Sequence, residues 1–296
     1  MGEGGSEWRM RVTIRPAREG DAAVCGRICY EAFSAIASGH NFPVDWRSEE
    51  VAVKVIEARL AHELTYGVVA EVEGRIAGSA FLKEYKPVGA IGPVTVAPRL
   101  QGGQVGRAMM EHLLERARVA GLAGTRLVQA AYNTQSLALY TKLGFQTRDL
   151  LVCLHGNPIA MGMRGYPVRI GREGDLEACA ELCARLHGYA RREDLQEALE
   201  LRMLTVVARE GDERIRGYST GVHFRGHTVA ETNGDARALI AAAEDLPEPG
   251  LLMPARNAEL LRWALDHGLR ITQPLTLMTR GWYEAGEGAW LPSIHG

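Results

Sequence analysis

The chain has 296 residues, 46% of them hydrophobic and 24% charged, which is apolar material for two cores and more than one small domain needs. A formal net charge of −2, with Lys and Arg dispersed, excludes the basic field of a nucleic-acid-binding surface. No apolar run is long enough to cross a bilayer and no signal-peptide core opens the chain. The expectation is a cytoplasmic protein, without a membrane or nucleic-acid partner, whose five cysteines stay reduced. Met1 to Ser6, MGEGGS, formally fits an N-myristoylation pattern and is read as a flexible glycine-rich start.

Taken in chain order, the pattern predicts a strand near 11–15 and a helix over 21–36 opened by Asp21 as N-cap. A second helix follows over 48–62. Two β-rich runs, 66–72 and 75–86, meet at Glu73-Gly74, which reads as a hairpin turn. A strand over 89–97 leads to a helix over 104–120. Then come a strand over 126–131, a helix over 134–143 and a strand over 145–154. This strand–helix–strand succession implies parallel pairing through crossover helices, hence a mixed α/β sheet flanked by helices.

The chain also repeats itself. Arg15-Pro-Ala-Arg-Glu-Gly-Asp21 returns 154 residues on (169 − 15) as Arg169-Ile-Gly-Arg-Glu-Gly-Asp175, and the same step carries Cys25 and Cys29 onto Cys179 and Cys183. Each cysteine pair lies on the apolar stripe of a helix, without a third ligand at metal spacing, so these are core residues and no metal is expected. Asn133, Leu139-Tyr140 and Gly144-Phe145 return 124 residues on (257 − 133) as Asn257, Trp263-Ala264 and Gly268-Leu269. Two tandem domains are expected, 10–156 and 166–284, joined by a linker rich in Gly and Pro and followed by a tail, 285–296. Trp290 to Ile294 is apolar for a terminus and is expected to dock instead of fraying.

The richest segment is Ala90 to Met110, AIGPVTVAPRLQGGQVGRAMM. A strand ending at Val96 runs into a turn with Gly102, Gly103 and Gly106 and then into a helix. Glycines let backbone approach a ligand closely, and free N–H groups at a helix start, with the helix dipole, form an anion site. Arg107 adds a charged donor. The spacing is neither that of a nucleoside-triphosphate loop nor that of a dinucleotide fingerprint.

Val-x-Pro-x-x-Gln101-Gly-x-x-x-Gly106-Arg107-x-Met-Met resembles motif A of the GNAT superfamily of acyl-CoA-dependent N-acyltransferases. Gln104 stands where that motif's middle glycine normally sits, with Gly103 just before it. Downstream, Asn133-Thr-Gln-Ser136-Leu-Ala-Leu-Tyr140-Thr-Lys-Leu-Gly144-Phe145 resembles the family's second signature helix. The resemblance covers roughly 11–155. It implies that the turn Gln101, Gly102, Gly103, Gln104, Val105, Gly106 and Arg107 holds the diphosphate of acetyl-CoA. It further implies that Val94, Thr95 and Val96 line the pantetheine and offer an N–H to the oxyanion, that Asn133 and Ser136 contact the cofactor arm, and that Tyr140 is the general acid.

A phenol with a pKa of about 10 can protonate a thiolate whose acid sits near 8.5. The amine must first lose a proton. The strand 90–97 carries no carboxylate, so Glu84 is the first candidate base, followed by His40 and Asp45, with relay through water as the alternative. The second copy has Ala264 where Tyr140 lies and His227-Thr-Val-Ala-Glu-Thr-Asn-Gly-Asp235 in place of the glycine turn, so it is expected to be a degenerate, inactive domain. The expected activity is N-acetyl transfer to a primary amine, with a small-molecule acceptor, by a monomer or homodimer. A non-catalytic acyl-CoA sensor or adaptor is the alternative.

Overall fold

The computed structural model describes residues 11–44 and 46–295, so Met1–Ser6 and the candidate base Asp45 lie outside it. The chain runs β1 (Val12–Pro16), α1 (Ala22–Gly39), α2 (Glu49–Ala61), β2 (Thr65–Val72), β3 (Arg75–Lys83), β4 (Val88–Val96), α3 (Val105–Val119), β5 (Gly124–Ala130), α4 (Thr134–Lys142) and β6 (Gln146–His155). It continues through β7 (Val168–Ile170), α5 (Leu176–His187), α6 (Arg192–Glu200), β8 (Thr205–Arg209), β9 (Asp212–Ser219), β10 (Thr228–Ala230), α7 (Asn233–Ala241), β11 (Leu251–Pro254), α8 (Ala258–Asp266) and β12 (Arg270–Gly281). A short β13 (Ala289–Leu291) follows. The order β-α-α-β-β-β-α-β-α-β therefore occurs twice, a tandem mixed α/β fold. Among the described residues no helix is long and apolar enough to cross a membrane.

The same local devices build both copies. Arg15 forks onto Asp21 at 2.7 and 2.9 Å, and Arg169 forks onto Asp175 at 2.6 and 2.7 Å. Each aspartate also accepts the N–H of Arg18 or Arg172, fixing the turn that starts α1 or α5. At the other end, Asn133 Oδ1 accepts from Ser136 N (3.1 Å) and Asn257 Oδ1 from Leu260 N (3.2 Å), each an N-cap. Both helices stop alike. Gly144 (φ 88°) and Gly268 (φ 91°) turn left-handed, and Phe145 N and Leu269 N reach back to the carbonyls of Tyr140 and Ala264. All four repeat cysteines are buried, and burial pushes the Cys25 thiol up to about 11 and that of Cys179 up to about 12.

Packing divides the chain into two compact units, one running to Glu84 together with Ile91–Gly121, the other comprising Tyr85–Ala90 with Leu122 onward. In the first, the strand order is β1-β2-β3-β4. The β2–β3 hairpin closes at Glu73 (φ 51°) and Gly74 (φ 72°), the paired positive φ values of a type I′ turn. Cys25, Ile56, Val69 and Phe81 form a core between the sheet and α1 and α2. The buried stripe Val105, Met109, Met110, Leu113 and Ala117 turns α3 toward β3.

In the second unit β4 pairs parallel with β5 over Val88–Ala90 and Gly124–Arg126, and the ladder ends there. The expected parallel pairing of the strands around α4 is not what forms. β5 and β6 run the same way, but β12 lies between them, antiparallel to both, and β11 flanks β6. The closing strands are thus exchanged: β12, from the second copy, completes the β5 edge, and β6, from the first, pairs with β11. Leu275 and Leu277 of β12 pack with Leu151, Cys153 and Leu252 in one apolar cluster, burial worth about 1.5–3 kcal/mol per large side chain. A separate antiparallel sheet has the order β7-β8-β9-β10-β13. Its last strand is the apolar tail, which docks as the sequence suggests, with Ile294 N donating to Phe224 O.

Candidate active site

The glycine turn belongs to the first unit. After β4, a single 3-10 turn at Pro98–Leu100 leads to Gln101, whose Nε2 donates to Val96 O at 3.0 Å and ties the turn to the strand end. Gly102 follows at φ 78°, a left-handed conformation that a residue with a Cβ adopts at a penalty. Gln104 takes the N-cap position of α3 but makes no side-chain cap bond. After Gln101 N, which bonds Pro98 O at 3.3 Å, the next amide to find a partner among the described residues is that of Ala108, on Gln104 O at 2.9 Å. The amides of the first turn thus remain open, beside the exposed Gly102, Gly103 and Gln104. Arg107 is half-buried and paired only with Glu111 at 3.2 Å, a loose i,i+4 contact. The arrangement is an anion cradle with a cation at its rim.

Beside it, Val94 and Val96 are half-buried, while Thr95 is buried with its hydroxyl 3.4 Å from that of Ser79. Gly92 (φ 148°) and Pro93 lie within β4 just ahead of them, and Pro93 has no N–H to give a ladder. Glu84, the first candidate base, is clamped by Arg116, with Nε to Oε1 at 2.5 Å and Nη2 to Oε2 at 2.9 Å. Arg116 in turn stacks 4.8 Å above the ring of Tyr66. His40, the second candidate, is exposed, with Nδ1 2.9 Å from Ile36 O.

The remaining site residues lie in the second unit, on and just before α4. Asn133 caps the helix with Oδ1, and Ser136 Oγ donates to Gln129 Oε1 at 2.8 Å, holding the helix start to β5. One and two turns along the helix, Tyr140 is 7% exposed with its ring 6.0 Å from that of Phe145. Burial alone pushes its phenol up to about 12. No protein atom among the described residues accepts its proton, so the hydroxyl is protonated and available to a ligand. In the second copy the matching position is Ala264, fully buried in an apolar cluster.

Comparison with known proteins gives a family match and a shared fold. Residues 32–145 match the family described as Acetyltransferase (GNAT) family. An IAA acetyltransferase of Azospirillum brasilense is 38% identical over 75 residues, 25% of this chain and 49% of that protein. The chain spans about half the length of the curated relatives it matches first. Among solved structures, a putative acetyltransferase from Pyrococcus horikoshii superposes with a TM-score of 0.71 at 17% identity, covering 98% of both chains. A tandem GNAT protein from the clavulanic acid biosynthesis pathway superposes with a TM-score of 0.56 at 14% identity, over 93% of this chain and all of that one. Both share the fold over nearly the full length.

Proposed function

We propose that this chain, whose residues 32–145 match the GNAT acetyltransferase family, moves the acetyl group of acetyl-CoA to the primary amine of a small molecule. The observation that carries this reading is the start of α3: a helix whose first amides are uncapped, preceded by a left-handed glycine and flanked by Arg107. Those amides and the helix dipole suit a diphosphate. Val94–Val96 offer backbone to the pantetheine, and Asn133 and Ser136 sit at the start of the second signature helix.

The reaction needs an amine without its proton, a donor for the developing oxyanion, and a proton for the departing thiolate. An N–H of the 94–96 strand is assigned to the oxyanion. Tyr140 gives up its proton to the thiolate sulfur, a transfer aided by its dry surroundings and by having no competing protein acceptor. Glu84 is engaged on both oxygens and must leave Arg116 before it can take a proton. Water relay from the amine fits this arrangement better. A reducing compartment such as the cytoplasm suits five thiols that form no disulfide.

The second copy is assigned no turnover. Calorimetric titration of the full chain with CoA, together with thiol release from acetyl-CoA across an amine panel, tests both statements. One CoA per chain and thiol release with at least one amine are expected. Binding without release for every amine favours a non-catalytic acyl-CoA module, and two CoA per chain overturns the silent second copy.

A further inference from the structure

The second unit contains a half-buried cation with no carboxylate bonded to it among the described residues. Along β5, Thr125, Leu127 and Gln129 are buried whereas Arg126, Val128 and Ala130 are half-buried, so the strand has one closed and one partly open face. Gln129 is bound by Ser136, which makes the closed face that of α4. Arg126, an odd number of residues away, points to the other side. It stands at the last pair of the β4–β5 ladder, opposite Ala90.

Its surroundings come from the loop after α5. Arg126 Nη1 donates to Tyr189 Oη, and the guanidinium lies 5.6 Å from that ring. Tyr189 is braced edge-on by Trp282 at 5.6 Å. Arg126 Nε is buried without a partner, and no carboxylate among the described residues pairs with the guanidinium. Asp194, the acid whose charge reaches Arg126, is bonded to Arg191 at 2.8 Å. His187 adds no negative charge. Burial first, then Arg191 and Arg126, hold it neutral with a pKa down at about 4. Desolvation also pulls the Arg126 guanidinium down, outweighing the nearby Tyr189 and Asp194 that favour its charge.

The empty edge of Arg126 is the one formed by Nε and Nη2. Elsewhere in this chain that same edge grips carboxylates: Arg116 uses it on Glu84, and Arg118 uses it on Glu115. A half-buried guanidinium with its Nε enclosed and its bidentate fork vacant matches a singly charged carboxylate. We propose that Arg126, oriented by Tyr189, binds the carboxylate of the acceptor, which is therefore an amino acid or an amine of similar build and not a simple alkylamine.

This rests on the transferase reading above, and the test separates the two. Thiol release is measured for paired acceptors, free amino acids against their amides (alanine and alaninamide, lysine and lysinamide), with wild type, Arg126→Gln, Arg126→Lys and Tyr189→Phe. Wild type is expected to favour the acids by about 10- to 100-fold in kcat/KM, mostly through KM, as suits one charged, bidentate hydrogen-bonded pair. That ratio should fall toward one in Arg126→Gln and be partly restored in Arg126→Lys. Should Arg126→Gln fail to fold by its melting curve, the ratio in Tyr189→Phe, expected to fall several-fold, decides instead. Amides used as well as acids, or a ratio untouched in the folded variants, overturns the proposal. If no amine releases thiol, the transferase reading fails and titration with N-acetylalanine against N-acetylalaninamide decides the anion site. Binding of the acid alone, lost in Arg126→Gln, upholds it, and equal or absent binding of both refutes it.

Discussion

The two copies start their central helices in opposite ways. In the first, α3 begins at Val105 after Gln104, which caps nothing. In the second, α7 begins at Asn233 after Thr232. The Thr232 hydroxyl accepts from Asp235 N, while the Asp235 carboxylate accepts from Thr232 N at 3.1 Å and pairs with Arg209 at 3.2 Å. The second helix carries its own anion where the first leaves room for one. The strands before them differ in the same sense, since β10 is paired along its length by the tail strand β13. Ala264 replaces the phenol. Identical scaffolding can therefore be made receptive or self-satisfied by a handful of residues at a helix start, and a stable cap and a ligand site are alternative uses of the same amides.

The sharpest break of this comparison is at the acid. Tyr140→Phe should lower the rate of thiol release by about 10²- to 10⁴-fold while CoA affinity, read by calorimetry, stays within about twofold. Ala264→Tyr should rescue nothing, because the start of α7 is already capped by Thr232 and Asp235. With the Tyr140 phenol up at about 12, activity should climb with pH as the amine deprotonates and show no fall from this group below about pH 11. A fall near neutral pH would remove Tyr140 as the acid.

Next in size is a transplant of the second copy's cap. Gln104→Thr with Arg107→Asp places Thr at N-cap and Asp three residues on, as in Thr232 and Asp235. The variant should gain about 1 kcal/mol of stability by chemical denaturation and lose about tenfold or more in CoA affinity. Unchanged affinity would show that these amides do not hold the cofactor.

The smallest effect concerns the device the copies share. Asp21→Asn and Asp175→Asn should each cost about 1–2 kcal/mol, Asp21 the more, since Arg15 also bonds Glu71 at 2.8 Å and is less exposed than Arg169. The Arg15 and Arg169 hydrogen bonds hold both carboxylates below the ordinary range. Their stabilisation is therefore complete above about pH 4 and lost as pH falls further, and denaturation at pH 7 and pH 3 should show the variants losing part of that acid sensitivity.

Much of this was legible in the sequence because it is local. The Asp21 and Asp175 turns, the Asn133 and Asn257 caps, the Gly144 and Gly268 stops and the glycine turn at 101–106 are each specified within about seven residues of chain, and the predicted elements of the first copy fall within a few residues of those found. What the sequence hid is non-local. The insertion of β12 between β5 and β6 joins segments more than a hundred residues apart, and nothing in the alternation of 145–154 says which strand will be its neighbour. Arg126 was missed for the same reason. It is an ordinary strand residue until Tyr189, from the other copy, closes over it. The signal was an arginine on a strand otherwise lacking charge. Glu84 was chosen by proximity to motif A, and only the fold shows Arg116 already holding it.

The exchanged strands have a consequence for inheritance. With β12 of the later copy filling the gap between β5 and β6, the later copy's ending is indispensable, because deleting it would strip the earlier copy's sheet of hydrogen bonds from Gly124 to Ala130. The second copy thus serves the first as a splint. Cutting the backbone anywhere in 156–167 should leave two fragments that stay clasped together, and neither one should fold when made by itself.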